Sequence, residues 1–316
     1  MYTCRICGNT QNNSLYIGKE RMFGLYDEFL YFKCSDCGCL QIKDIPDDMD
    51  KYYPFDYYSY LSKDNSLSLK GRIANYLLKK ALKTRLGKRN LIGDLACLYN
   101  RYYKDAYFYL DKSTCNYDSK VLDIGCGNGG LLNQMSLLGF RYLTGVDPYL
   151  EKDIHYSNGV NVLKKDMFDI SSQYDLIMLH HSFEHMTNPY KVFAHLHQIL
   201  TDEGVVIIRI PLIDSYAWRK YNMNWFQIDA PRHFYLHSVK SISCLANKTK
   251  FVINKIDFDS SEGQFIHSEK YLRNISLYEG YDIPKDVLAA FKKKSEELNL
   301  LMDGDQACFY LKKDKR

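Results

Sequence analysis

An α/β fold, a mostly parallel sheet with helices on both faces, follows from three observations on the 316-residue chain. From residue 120 onward, short apolar runs alternate with helix-like stretches, the pattern of strand–helix–strand units. The first run ends in a glycine-rich turn, Val121-Leu122-Asp123-Ile124-Gly125-Cys126-Gly127-Asn128-Gly129-Gly130. Acidic residues then recur at the ends of the following runs, where open sheets of this class bind their ligands.

The expected strands are 120–124, 142–146, 160–163, 174–179 and 204–210, with helices near 129–139, 149–157 and 189–200. After Pro211 an aromatic loop runs to Pro231-Arg232-His233, followed by a helix near 238–248 and a strand at 250–257. The apolar run at 307–311 reads as a last strand returning to the sheet. Upstream, Leu69, Ile73, Leu77 and Ala81 recur at i+4 with Ala74, Leu78 and Leu82 beside them, an amphipathic helix over 67–86. Its other face carries Lys70, Arg72, Lys79, Lys80, Lys83 and Arg85. The chain therefore divides into a small zinc-ribbon-like module at 1–45, a helical and aromatic linker and lid at 46–115, and a main domain at 116–316.

A formal charge of +4 is too weak to demand nucleic acid as a partner. The basic helix 70–89 could still meet a diphosphate or, peripherally, an anionic membrane face. No apolar run approaches the roughly 18 residues of a membrane span. The polar start lacks a secretory core, so a cytoplasmic protein is expected. Ten cysteines in such a compartment argue against a disulfide scaffold.

Five of those cysteines fall in the first 39 residues. Cys4-x2-Cys7 and Cys34-x2-Cys37 form two knuckles, each followed by a glycine (Gly8, Gly38) that permits the tight turn. This spacing sets four thiolates around one tetrahedral ion, and such sites usually hold structural zinc. Cys39 reads as a spare.

The glycine loop lets backbone approach a ligand closely at a helix N-terminus. A pyrophosphate would be repelled by Asp123, two residues before the first glycine, whereas the ammonium of a methionine moiety would be welcomed. That favours S-adenosylmethionine (SAM) over a dinucleotide. Asp147, in Gly145-Val146-Asp147-Pro148, is placed to accept both hydroxyls of a ribose. Asp166 can meet an adenine amino group while Met167 packs on the ring, and the strand ending at His180 forms the floor.

Beyond that strand lie His181, Glu184 and His185, able to act as a general base or, at i, i+3, i+4 on a helical turn, to hold a divalent metal. Asn188-Pro189-Tyr190 reads as a helix start. The segment 218–235, with Trp218, Trp225, Asp229, Arg232 and His233, reads as an exposed binding loop, its arginine suited to a phosphate and its aromatics to a sugar or base.

On these motifs, residues 120 to about 311 resemble the class I SAM-dependent methyltransferases, most of all the ubiquinone-biosynthesis-type branch. The resemblance rests on the glycine loop and on Ser182-Phe183-Glu184-His185. It implies a Rossmann-like seven-stranded sheet with an antiparallel last strand. It also implies SAM contacts at Asp123, Gly125, Gly127, Asp147, Asp166, Met167 and the backbone near His180. The block Asp229-Ala230-Pro231-Arg232-His233 resembles methyltransferases of bacterial surface-polysaccharide pathways, which makes His233 the first choice of proton acceptor, ahead of His181, His185 and Glu184. The cysteine module resembles the zinc-binding segment of some sugar methyltransferases, and similar ribbons precede certain ribosomal-RNA methyltransferases. The expected reaction is O-methylation of a small-molecule or glycan acceptor, nucleotide- or lipid-linked. RNA methylation and C-methylation of a deoxysugar are the alternatives.

Overall fold

The computed structural model describes residues 2–53, 69–88, 90–100 and 107–315. The aromatic tract beyond Tyr53 and the pair Tyr102-Tyr103 lie outside these residues. In chain order the elements begin with β1 (Ser14–Lys19), β2 (Glu28–Lys33), β3 (Leu40–Ile42), α1 (Leu69–Arg85) and α2 (Leu91–Tyr99). There follow β4 (Lys120–Ile124), α3 (Gly130–Leu138), β5 (Tyr142–Val146), β6 (Ile154–His155), β7 (Asn161–Leu163), β8 (Tyr174–His180) and α4 (Pro189–Ile199). The last are β9 (Leu200–Pro211), α5 (Tyr216–Tyr221), β10 (Tyr235–Leu236), α6 (Val239–Lys248), β11 (Phe251–Phe258), α7 (Gly263–Leu272), α8 (Lys285–Leu300) and β12 (Gln306–Lys313). The chain divides into two compact units. One comprises Met1–Pro54, His181–Ala194 and Ile208–Arg316, the other Phe55–His180 and His195–Ile207. Strand β9 runs through both.

The second unit holds the order β9-β8-β4-β5-β7-β6, in which β8, β4, β5 and β7 pair with one another in parallel. Strand β4 pairs with β5 and β8, setting Asp123 opposite Gly145 on one side and Met178 on the other. Val121, Leu122, Leu176, Ile177, Leu179, Val206 and Ile207 are all buried. Central strands covered on both faces carry unbroken apolar runs, which is why these segments do not alternate. Helix α3 starts from Gly129 and ends on Gly139, both left-handed, and the Gly139 N–H closes onto the carbonyls of Met135 and Ser136. In α1 the buried stripe is Leu78, Ala81 and Leu82, whereas Ile73, expected on that stripe, is exposed.

The first unit holds an antiparallel sheet in the order β1-β2-β3-β10, together with β11-β12-β9. Strand β12 pairs antiparallel with β11, as expected for the last strand. Strand β10 joins the N-terminal strands through Tyr235 opposite Gln41. Ser238 and Ser241 form a capping box that starts α6 immediately after β10. Among the described residues no helix is long and apolar enough to cross a membrane.

Two expectations are corrected here. The helix expected at 149–157 is absent. Turns and the two-residue strand β6 occupy that stretch, and β6 pairs antiparallel with β7, adding a strand to the seven expected. The physical reason is local. Asn158-Gly159 is a hairpin turn with Gly159 at φ +88°, and the segment lacks an apolar stripe for a helix to bury. The segment 218–235 is not an exposed loop: it contains α5 and short 3₁₀ turns, and Trp218, Trp225 and Arg232 are buried. The Trp225 Nε1–H donates to Asp305 Oδ2 at 2.9 Å, and the Arg232 guanidinium likewise finds its acceptors inside the protein.

Candidate active site and metal centres

The glycine loop connects β4 to α3. Gly125, Gly127 and Gly129 have φ of +73°, +53° and +78°, conformations that side-chain-bearing residues rarely adopt. At Gly129 a Cβ would also stand 2.5 Å from Val162 Cγ2, so the close approach of loop to strand requires glycine. The Gly125 N–H donates to the Val146 carbonyl at 2.8 Å, clamping the loop to the end of β5. Asp147, next along β5, accepts from Gly127 N and Tyr149 N, each at 3.0 Å. Tyr156, which the sequence did not single out, donates its hydroxyl to the Asn128 carbonyl at 2.7 Å and braces the loop's far side.

Asp123 and Asp147 are both buried. Burial, then the nearby Asp147 charge, push the Asp123 carboxyl up to about 8. Burial raises Asp147 as well, opposed by its two N–H donors. Two carboxylates held apart from water and close to each other favour a cationic, donor-rich ligand. SAM, with its ammonium, sulfonium and ribose hydroxyls, has that character. Met167 is buried at the start of a 3₁₀ turn, while Asp166 is exposed and caps that turn by accepting from Phe168 N at 2.9 Å. The His180 ring packs on Tyr109, with centroids 4.7 Å apart.

The first unit brings Glu184, His185 and His233 together, with one ligand atom of each within 4.8 Å of the others. His181 is placed differently. It has φ +51°, its Nε2 accepts from Arg209 Nη1 at 3.1 Å, and its Nδ1 faces Glu184 Oε1 at 3.5 Å. Arg209 is held in turn by Asp259 at 2.6 Å. Glu184 is fully buried. Burial would raise its carboxyl, yet the facing His181 ring and the neighbouring His185 and His233 outweigh it and bring it down to about 2. His185 is pushed down to about 4, first by burial and then by His233.

The tautomers follow from the partners, because a carbonyl oxygen only accepts. The His185 Nδ1–H donates to the Arg232 carbonyl at 2.8 Å, and the His233 Nδ1–H to the Gln227 carbonyl at 2.7 Å. Both rings therefore carry their lone pair on Nε2. The His233 Nε2 stands 3.7 Å from Asp229 Oδ2 and 4.0 Å from Glu184 Oε1. Arg232 is spent internally: its guanidinium binds Asp229, Glu20 at 2.9 Å and the Tyr52 carbonyl at 3.1 Å. It is thus not free for a phosphate, contrary to the expectation from sequence. Nothing in the sequence near residue 20 or 52 signals these partners.

The four cysteines also converge. Cys4 and Cys37 sulfurs lie 3.5 Å apart, as do those of Cys7 and Cys34, and all four lie within 4.8 Å of one another. Zinc–sulfur bonds of ~2.3 Å in a tetrahedron imply sulfur–sulfur edges of about 3.8 Å, so the pocket has the size of a four-thiolate zinc site. Gly8 and Gly38 are left-handed, and their N–H groups close the knuckles onto Cys4 and Cys34 carbonyls at 2.9 and 3.0 Å. Gln41 Nε2 donates to Cys4 Sγ at 2.8 Å. Cys39 stays outside the cluster, buried near His237.

A family model described as a methyltransferase domain matches residues 96–255. The ubiquinone biosynthesis O-methyltransferase of Glaesserella parasuis is 28% identical over 113 residues, 31% of this chain and 48% of that protein. The match thus spans about half of that relative's length. Among solved structures, a SAM-dependent methyltransferase from Archaeoglobus fulgidus is similar with TM-score 0.40 and 19% identity, covering 62% of this chain and 86% of its own. A cyclopropane synthase from Mycobacterium tuberculosis is similar with TM-score 0.42 and 15% identity, covering 84% and 98%.

Proposed function

As a member of the family of methyltransferase domains, this chain is a SAM-dependent methyltransferase, and we propose that it methylates a hydroxyl of a small-molecule or glycan acceptor, a nucleotide-linked sugar or a surface-polysaccharide residue. The observation that carries the SAM part is the pair of buried carboxylates, Asp123 and Asp147, at the turn of left-handed glycines. In this reading Asp123 faces the ammonium, Asp147 takes the ribose hydroxyls, Asp166 and Met167 take the adenine, and Gly125, Gly127 and the backbone near His180 line the methionine. SAM supplies an electrophilic methyl group on sulfur.

When bound, SAM would give its methyl group to the acceptor oxygen, the sulfur keeping the electron pair of the broken bond, and His233 Nε2 would take the hydroxyl proton. The lone pair on that nitrogen supports the assignment, as do Asp229 and Glu184, which face the imidazolium that forms. His185 and His181 stand next in line, with Glu184 holding the charge. The block Asp229-Ala230-Pro231-Arg232-His233 supports a glycan-type acceptor by resemblance. The four cysteines hold a structural zinc in this reading, stabilising a segment, residues 1–45, too small to build a core of its own. Residues 46–115 act as linker and lid, and 116–316 as the methyltransferase domain. Such a cluster of thiols suits the reducing cytoplasm.

The test is tritiated-methyl incorporation from SAM across pools of nucleotide sugars, lipid-linked glycans and RNA, with SAM affinity measured by calorimetry. Label in a base-stable sugar ether supports O-methylation of a sugar. Label in RNA, with salt-sensitive binding, or on sugar carbon would overturn the acceptor while leaving the SAM reading intact. Absence of SAM affinity would overturn the whole.

A further inference from the structure

We propose that Glu184, His185 and His233 form a binding site for a divalent transition-metal ion, distinct from the four-cysteine cluster. The inference goes beyond the methyl-transfer reading and does not need it, since an ion can bind whether or not a methyl group moves.

Four observations converge on the site. The first is the donor set: two imidazoles and one carboxylate with ligand atoms within 4.8 Å of one another. Two histidines and a carboxylate ligate catalytic zinc and, as a facial triad, non-haem iron, in both cases leaving positions open. The second is ring orientation. Both histidines spend Nδ1–H on a backbone carbonyl, Arg232 for His185 and Gln227 for His233, which leaves each Nε2 lone pair available. Metal-ligating histidines are commonly fixed through the other ring nitrogen in this way.

The third is Glu184 itself. Its side chain is fully buried, and neither carboxylate oxygen has a hydrogen-bond partner. A buried carboxylate without donors is costly unless something satisfies it. His181 Nδ1, 3.5 Å from Oε1, stands too far to do so fully. The fourth is charge. Around the site the fully buried carboxylates of Glu184 and Glu20 and the partly buried one of Asp229 stand against the guanidinium of Arg232. The carboxylates thus outnumber the guanidinium, a surplus of anionic acceptors that suits a cation.

Ligand bonds of ~2.0–2.2 Å require donor atoms about 3.0–3.5 Å apart. The His233 Nε2–Glu184 Oε1 distance of 4.0 Å therefore closes by several tenths of an ångström when an ion enters. With an ion in place, the acid–base task assigned to His233 changes hands. An acceptor hydroxyl at an open position would lose its proton to solvent more readily, and the histidines would hold the ion.

The experiment uses tag-free full-length protein, stripped with a chelator and reloaded with a slight excess of Co²⁺. Metal content and the visible and near-ultraviolet spectra are recorded. The expected result is a Co²⁺ equivalent without thiolate-to-metal absorption, additional to any equivalent that shows it. That equivalent should be lost in both His233→Asn and His185→Gln, while the thiolate-type bands persist. The persisting bands also report that the variants remain folded. If wild type binds only Co²⁺ showing thiolate absorption, or if the additional equivalent survives both substitutions, the site does not exist. Methyl transfer that continues in the fully stripped protein would leave the methyltransferase reading standing without the ion.

Discussion

Replacing Asp123 by Asn removes a charge that the unliganded protein holds at a large disadvantage. Burial and the neighbouring Asp147 move this carboxyl from its ordinary 3.8 to about 8. At 1.36 kcal/mol per pKa unit, ionised Asp123 costs the folded state on the order of 6 kcal/mol above pH 8. The direction is fixed by proton counting. Between pH 4 and 8 the folded chain keeps the Asp123 proton while the unfolded chain has released it, so stability falls as pH rises through that window. It is flat on either side. Asp123→Asn abolishes this dependence, and the variant's advantage over wild type should grow by about 4 kcal/mol between pH 5 and pH 8. Urea unfolding at a series of pH values without SAM measures it. Calorimetry at pH 8 should then show weaker SAM binding to the more stable variant, because the carboxylate that destabilises the empty site is the one that meets the ammonium. A constant stability difference across pH would refute the buried-pair argument. Unchanged SAM affinity would refute the assignment of Asp123 to the ammonium.

Asp147→Ala should weaken SAM binding roughly 10- to 100-fold, the worth of charge-assisted hydrogen bonds, with far-ultraviolet circular dichroism unchanged; unaltered affinity would undo the ribose assignment. For His233→Ala a loss of turnover of about 10²–10⁴-fold is expected, the usual contribution of a general base, at near-constant SAM affinity. Should turnover survive, proton removal belongs to His181 or His185. Cys34→Ser should release metal and lower the melting temperature, and stoichiometric zinc retained by the variant would exclude the four-cysteine site. Trp225→Phe deletes the donor to Asp305, whose carboxyl burial already raises to about 6; a loss of about 1–3 kcal/mol in unfolding free energy is expected, and no loss would mean that Asp305 is satisfied otherwise.

The parallel strands were legible because buried central strands are written as continuous apolar runs. Predicted 120–124 and 142–146 coincide with β4 and β5, and the glycine turn needed only backbone logic to be placed. The cysteine pairs were legible for a similar reason, since short-range spacing dictates where the sulfurs can go. What escaped the sequence depends on partners far along the chain. Arg232 reads as a ligand-seeking side chain until Glu20, more than two hundred positions away, is found against it. The grouping of His233 with Glu184 and His185 is likewise a product of folding, whereas His181, nearer in sequence, turns to Arg209 instead. The stretch at 149–157 failed as a helix because the hairpin signal of Asn158-Gly159 outranked the expectation of regular strand–helix alternation.

The buried guanidinium of Arg232 has a consequence for anyone trimming this chain. It ties Asp229 to a side chain and a carbonyl contributed by residues 20 and 52, so the N-terminal segment is a counter-charge for the interior as well as a carrier of cysteines. A shortened protein beginning at residue 116 would keep the cation and lose Glu20. Breaking one side of a buried ion pair typically costs about 3–5 kcal/mol, a large part of a domain's total stability. The N-terminal segment is in this sense a plug, and its removal leaves the Arg232 guanidinium short of one carboxylate and one carbonyl.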